Sequence, residues 1–290
     1  MSSQNHNQTI LAILNLTSEY FKKHAVENPR LNAERLLAHV LKIDRLQLYL
    51  QFDRILDKNE LADYRVLVKR RVEREPLQYL TGETEFMGLP FKVNSSVLIP
   101  RPETEILVQA VLELKDRFGK RTPMLWDIGT GSGCIAVSLA YLWPGLQVRA
   151  SDISMDAIAV AEQNARVNRV ENSIRFLYHD IFQAEPVDMD EVDIIVSNPP
   201  YISKDEILKL DREIRDYEPM IALTDAGDGT AFYRRIMEMF GSFPNCKFVL
   251  LELSGTQPGL IKSLLKHCSI NQFSIIRDLN GHERVLKLEK

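Results

Sequence analysis

From about residue 104 onward, short apolar runs alternate with amphipathic stretches, and this alternation limits the fold more than any other feature of the chain. "MLWDIG", "QVRASD", "IRFLYHD", "VDIIVSN" and "KFVLLEL" read as strands. "CIAVSLAYLW", "MDAIAVAEQNARVN", "FYRRIMEMFGSF" and "QPGLIKSLLKHC" read as helices between or after them. A strand–helix–strand repeat returns each strand parallel to the last, with helices covering both faces of the sheet. "FSIIRDLNGHERVLKLE" closes the chain as two strands around Asn280-Gly281, a dipeptide suited to a tight hairpin turn, so an antiparallel strand enters the sheet. The fold class is α/β, Rossmann-like.

The first 80 residues carry a different pattern. "LNAERLLAHVL" sets Ala33, Leu36, Leu37, Val40 and Leu41 on one helical face. Asp57 with Glu60 three positions on forms a capping-box variant ahead of a helix whose apolar face is Leu61, Tyr64, Leu67, Val68 and Val72. The mixed charges of "KRRVERE" suit a solvated helix face, and Pro76 stops the helix. "TEFMGLPFKVNSSVLIPRPE" holds short β-type runs broken at Gly88-Leu89-Pro90 and Asn94-Ser95-Ser96, and reads as a hairpin joining two domains. The expected organisation is a helical bundle over 1–80, a β-hairpin linker over 81–103, and an α/β domain over 104–290.

Several function classes are disfavoured before any motif is considered. Lys+Arg 36 against Asp+Glu 40 gives a net charge of −4, whereas nucleic-acid binders draw most of their affinity from a basic excess. Cys134, Cys246 and Cys268 show neither disulfide nor zinc-ligand spacing, so no metal is expected. No run approaches the ~18 apolar residues of a membrane helix, and "MSSQNHNQTI" lacks the apolar core of a signal peptide. A cytoplasmic, monomeric protein without membrane contact is expected.

"WDIGTGSGC" joins the first strand to its helix through Gly129, Thr130, Gly131, Ser132 and Gly133. Glycine lets the chain turn sharply and lets a ligand approach bare backbone. A P-loop would need a lysine and a Ser/Thr after the last glycine, and Cys134 and Ile135 stand there instead. The dinucleotide fingerprint G-x-G-x-x-G places its third glycine one residue later, although Asp152 ends the second strand near the position of that fingerprint's acid. A carboxylate there accepts both ribose hydroxyls and repels a 2′-phosphate. S-adenosylmethionine fits, with its adenine, its free ribose hydroxyls and its methionine tail.

Asn198-Pro199-Pro200-Tyr201 follows the fourth strand, at the sheet edge where open α/β folds bind ligands. The prolines stiffen the segment and remove two donors, leaving an acceptor-rich backbone. A planar –NH2 group has a delocalised lone pair and is a poor nucleophile. The side-chain carbonyl of Asn198 and the backbone carbonyl of Pro199 can take its two hydrogens, while Tyr201 stacks on the plane. Such positioning contributes several kcal/mol, with about 7–11 kcal/mol as the ideal limit. The four residues suit methylation of an amide or an exocyclic amine.

The sequence resembles the HemK/PrmC family, the N(5)-glutamine methyltransferases of peptide chain release factors. "PLQYLTGETEFMGLPFKVNSSVLIPRPETEILV", "DIGTGSGCIAVSLA", "SDIS", "SNPPYI", "EPMIALTDAGDGTAFYRRI" and "LNGHERVL" carry the resemblance from about residue 76 to the end. It implies a class I S-adenosylmethionine-dependent methyltransferase domain with a seven-stranded mixed sheet, preceded by a helical bundle and a hairpin. It implies that Gly129 to Gly133, Asp152 and Asn198 hold S-adenosylmethionine, leaving S-adenosyl-L-homocysteine as product. Ile181 would lie against the adenine, where many members carry an aromatic residue. Asn198 to Tyr201 would hold the glutamine of a Gly-Gly-Gln loop in class 1 release factors, a protein partner gripped by the helical bundle and the hairpin. Arg101 and Glu103 fall beside the implied active site and read equally as a salt-bridged loop; His179 reads as structural. The nearest rival is a DNA or RNA exocyclic-amine methyltransferase, for which the chain offers only "KRRVERE" as a basic patch. A catalytically silent binding module would have no need of intact Asn198 and Asp152, and a nicotinamide dehydrogenase fails on glycine spacing.

Overall fold

The computed structural model describes residues 8–119, 121–183, 191–254, 258–268, 270 and 272–290. The polar stretch 1–7 and Gln257, the expected first residue of a helix, lie outside them. Contacts divide the chain into two compact units, one running to Gly82 and including Arg212–Tyr217, the other comprising Glu83–Asp211 and Glu218–Lys290.

The first unit contains α1 (Ile10–Lys23), α2 (Pro29–Leu41), α3 (Arg45–Leu50), α4 (Lys58–Val72) and α5 (Leu77–Thr81). Asp57 caps α4 as its spacing predicts: its carboxylate accepts from the Asn59 and Glu60 amides while Glu60 accepts from the Asp57 amide. Ala33, Leu36 and Leu37 of the α2 stripe are buried with Leu61 and Tyr64 of α4, in one core with Ile10, Leu14 and Phe21. Burying each leucine, isoleucine or phenylalanine side chain there contributes about 1.5–3 kcal/mol. One part of the charged run departs from the expected solvated face. Lys69 and Arg70 are exposed, but Arg71 is buried, with Nε on Asn32 at 2.7 Å and Nη2 on Glu213 at 2.7 Å. Its position, three and seven residues beyond Val68 and Tyr64, continues the apolar face of α4, and paired partners make burial of its guanidinium tolerable.

In the second unit, β1 (Glu83–Phe86) and β2 (Leu89–Lys92) pair antiparallel about Met87-Gly88. The hairpin ends there. Residues 93–99 form no strand, and Pro102 opens α6 (Pro102–Leu112), because a proline at the first helical position gives up an amide that has no partner anyway. The β-hairpin expected over 81–103 is thus shorter and gives way to a helix.

The main sheet comprises β3 (Met124–Ile128), β4 (Gln147–Asp152), β5 (Ile174–Tyr178), β6 (Ile194–Ser197), β7 (Phe248–Glu252), β8 (Phe273–Arg277) and β9 (Glu283–Glu289). Their order is β5-β4-β3-β6-β7-β9-β8, a seven-stranded mixed sheet in which β9 runs antiparallel to both neighbours. Helices α7 (Cys134–Leu142), α8 (Met155–Val167), α9 (Ala231–Ser242) and α10 (Pro258–His267) accompany it. The near-continuous apolar sequences of β3, β6 and β7 follow from burial on both faces. Strand order reverses at β3, whose neighbours are β4 and β6. Among the described residues no helix is long and apolar enough to cross a membrane.

Candidate active site

Register brings the sequence motifs together. Ile128, the last residue of β3, pairs with Ser151 of β4 on one side and Ser197 of β6 on the other. The glycine loop, Asp152 and Asn198 therefore leave the sheet side by side at its carboxyl edge, at the switch point where such folds open a crevice. That crevice is a cavity of about 400 Å³, and Gly129, Thr130, Gly131, Ser132, Asp152, Ile181, Asn198 and Pro200 all line it.

The glycine loop is held by its neighbours. The amides of Gly129 and Thr130 both donate to the Ser151 carbonyl at 2.9 Å. Gly131 donates to Asp152 Oδ2 at 2.8 Å, and Ser154 donates to Oδ1 at 2.9 Å. Burial raises the Asp152 carboxyl above its ordinary range, while amide hydrogen bonds from Ser154, Gly131 and Ile153 oppose the shift. The glycines differ in purpose. Gly129 and Gly131 take positive φ of 71° and 54°, and a side chain there would meet nothing within 4 Å, so their bare faces form open cradle wall. A Cβ on Gly133 would lie 3.0 Å from Ala161 Cβ of α8. Gly133, expected to bind cofactor, is not among the residues lining the cavity, and its missing side chain lets α7 and α8 pack.

Asp127, which the sequence reading passed over, is fully buried beneath this loop. Its Oδ2 accepts from the Thr130 hydroxyl at 2.7 Å, and burial pushes the carboxyl up to about 7. Asn164, also fully buried, donates to the carbonyls of Ser132 and Lys92 and accepts from the Lys92 amide at 2.6 Å. It locks the hairpin onto the glycine loop. Met87 of the hairpin turn donates to Glu105 of α6.

At the adenine end of the expected site, Ile181 is buried, and the aromatic surface comes from its neighbour. Phe182 also lines the cavity, is 52% exposed, and packs edge-on against Phe232 at 5.0 Å between centroids. Reading a single position for an aromatic missed a ring one residue along. His179, read as structural, packs on Trp126 at 5.9 Å between ring centroids and also lines the cavity.

The Asn198 segment shows a division of labour. Asn198 and Pro200 face the cavity, and Pro199 is buried. Tyr201, expected to stack on a planar substrate group, packs instead on the core cluster containing Tyr233 and Leu253, and burial raises its phenol above the ordinary value. The Asn198 Nδ2 group donates to Thr104 Oγ1 at 3.2 Å, so the amide is oriented with Oδ1 left over. Thr104 was not read from the sequence, although the motif containing Arg101 and Glu103 was. Arg101 pairs with Glu218, whose other oxygen accepts from the Ile99 amide. The pair ties the loop before α6 to the segment around Pro219, and both segments line the cavity. Glu103 is exposed in the first turn of α6, where a carboxylate favours the helix N-terminus.

A sheet with this switch point, a glycine cradle, a strand-end acid and an oriented amide followed by two prolines defines an S-adenosylmethionine-dependent methyltransferase domain. Two families match, described as the PrmC N-terminal domain over residues 12–82 and the methyltransferase small domain over residues 102–214. The release factor glutamine methyltransferase of Rhodopirellula baltica is 37% identical over 286 residues, covering 97% of this chain and 96% of that protein. That of Geobacter sulfurreducens is 40% identical over 284 residues, covering 96% and 95%. This chain belongs to the release factor glutamine methyltransferase family. Among solved structures, the human METTL16 catalytic domain in complex with the MAT2A 3′UTR hairpin 6 superposes with a TM-score of 0.57 at 18% identity, over 70% of this chain and 76% of that one. Likeness at that identity is one of fold.

Proposed function

We propose that the chain transfers the methyl group of S-adenosylmethionine to the side-chain amide nitrogen of the glutamine in the Gly-Gly-Gln motif of class 1 peptide chain release factors. The observation that carries the reading is the single cavity in which Asn198 meets the glycine loop and Asp152. The residues present fit the cofactor. The cradle is bare where a ligand would cross it, an acid closes the next strand, and Ile181 and Phe182 offer an apolar wall.

S-adenosylmethionine, when bound, supplies an electrophilic methyl on a sulfonium sulfur. Gly129, Gly131 and Asp152 bind; Asp152 retains lone pairs for ribose hydroxyls beyond those its amide donors use. Asn198 Oδ1 and the Pro199 carbonyl accept the two amide hydrogens of the glutamine and turn its lone pair toward the methyl. Those hydrogen bonds strengthen as the nitrogen becomes positive, so they act on the transition state more than on the bound substrate. No base is needed before attack, because the proton leaves afterwards. Pro200 forms cavity wall, and Tyr201 anchors the segment to the core. The partner is a protein, with the helical unit and the hairpin as its grip; the cytoplasm is the expected compartment.

The test incubates the protein with labelled S-adenosylmethionine and three acceptors: a class 1 release factor, that factor with its Gly-Gly-Gln glutamine changed to alanine, and a DNA and RNA mixture. Label on the first alone is the expected result. Label on nucleic acid alone overturns the proposal.

A further inference from the structure

Behind Asn198 lies a chain of polar groups that the proposed chemistry does not yet use. Thr104, third residue of α6, is 2% exposed, and Glu252, last residue of β7, is 3% exposed. The Thr104 hydroxyl accepts from Asn198 Nδ2 at 3.2 Å and lies against the Glu252 carboxyl, whose ionised form it favours. Glu252 Oε2 is buried without a hydrogen-bond partner among the described residues, and the strand end that carries it is fixed through its carbonyl, which accepts from the Tyr233 hydroxyl at 2.6 Å. Helix α6, the segment after β6 and the end of β7 thus meet through one line of polar side chains.

The direction of that line matters. A hydroxyl has one proton, and an ionised carboxylate can only accept. With Glu252 ionised, the Thr104 proton must point to it, so Thr104 can offer Asn198 only a lone pair. Asn198 must then present Nδ2 inward and Oδ1 outward. An Asn turned the other way would aim donors at the substrate's own N–H groups and leave an acceptor facing an acceptor inside. We propose that Thr104 and Glu252 are positioning residues that fix the polarity of the Asn198 amide, making it an acceptor for the substrate amide. The proposal rests on the functional reading given above.

Burial pushes the Glu252 carboxyl up to about 7; Thr104 lowers it, Glu103 raises it, and Arg284 and Arg101 lower it again. Tyr201, Tyr233 and Cys134 are the other titratable groups within its field. Measurements at pH 8.5 therefore hold it ionised.

The experiment compares the wild type with T104S, T104V and E252Q, reading kcat and KM for the release factor, affinity for S-adenosyl-L-homocysteine, and solvent exchange of the Asn198 side-chain amide in protein carrying 15N-asparagine. T104V and E252Q are expected to lose at least tenfold in kcat, with KM and ligand affinity within threefold, and T104S is expected to stay within threefold throughout. Asn198 amide exchange should accelerate at least tenfold in T104V and remain slow in T104S. Equal behaviour of T104S and T104V, or unchanged exchange in T104V, overturns the proposal. If E252Q does not fold, the serine–valine contrast decides. If the wild type leaves the release factor unlabelled, the activity reading fails by itself, and the exchange measurement still decides the relay.

Discussion

Two glycines in one loop make opposite predictions when each is changed to alanine. At Gly131, φ is +54° and an added Cβ meets nothing within 4 Å. The cost to the fold is the left-handed backbone alone, about 1–2 kcal/mol. For a domain of this size that is a melting shift of about 2–8 °C. The new methyl nevertheless occupies the bare cradle wall, so affinity for S-adenosylmethionine should fall at least tenfold, a loss of ~1.4 kcal/mol. At Gly133, φ is +78°, and the Cβ would sit 3.0 Å from Ala161 Cβ and 3.2 Å from Ala161 Cα. The second contact is with backbone, which cannot rotate away. Overpacking of about 1–3 kcal/mol adds to the strain, for roughly 2–5 kcal/mol in total. Gly133→Ala should therefore melt well below Gly131→Ala, yet its folded fraction should bind ligand nearly as the wild type does. Thermal melts by circular dichroism and titration calorimetry with S-adenosyl-L-homocysteine read the two effects separately. Binding by Gly131→Ala within twofold of the wild type, or a Gly133→Ala no less stable than Gly131→Ala, would refute this account of the loop.

Asn198→Ala removes the substrate acceptor and should lower kcat by about 100-fold or more while leaving S-adenosyl-L-homocysteine affinity within a few-fold, as single-turnover kinetics and calorimetry would show. Arg101→Ala removes the cation paired with Glu218, whose side chain is 1% exposed and keeps the Ile99 amide, and should cost about 2–4 kcal/mol by urea denaturation; Glu218→Gln, which leaves no buried charge, should cost less. Asp127 has a pKa of about 7 in the folded protein against an ordinary 3.8, so the folded state holds a proton that the unfolded chain has lost. Stability should accordingly fall as pH rises from about 4 to 7, and the urea midpoint of Asp127→Asn should depend less on pH across that window than the wild type's.

How much of this was legible in the sequence depended on the range of the interaction. Local signals carried well. The Asp57 capping box, the strand–helix alternation and the Asn280-Gly281 turn each depend on neighbours a few residues away, and each appears where its spacing placed it. The glycine loop, Asp152 and Asn198 could be grouped because a parallel sheet delivers all its strand ends to one edge. Long-range polar pairs were not legible. Glu218 lies 117 residues from Arg101, Asn164 lies 72 from Lys92, and nothing in either local sequence names the other. Arg71 was misjudged for a related reason: a charge run looks solvated until a distant acid, Glu213, arrives to bury part of it.

The Asn198 motif shows the same limit inside the site. Its chemistry was read from the residue types, an acceptor amide on a stiff, donor-poor turn. But an asparagine side chain is an acceptor on one side and a donor on the other, and the sequence cannot say which side faces a substrate. That choice is made by Thr104, on a helix 94 residues earlier in the chain. Thr104 in turn depends on a carboxylate at the end of β7, on the far side of β6 from the glycine loop. The motif names the reactive group; the fold sets its polarity. A substitution that spares all four motif residues but reverses or erases that polarity should therefore abolish the advantage of having them.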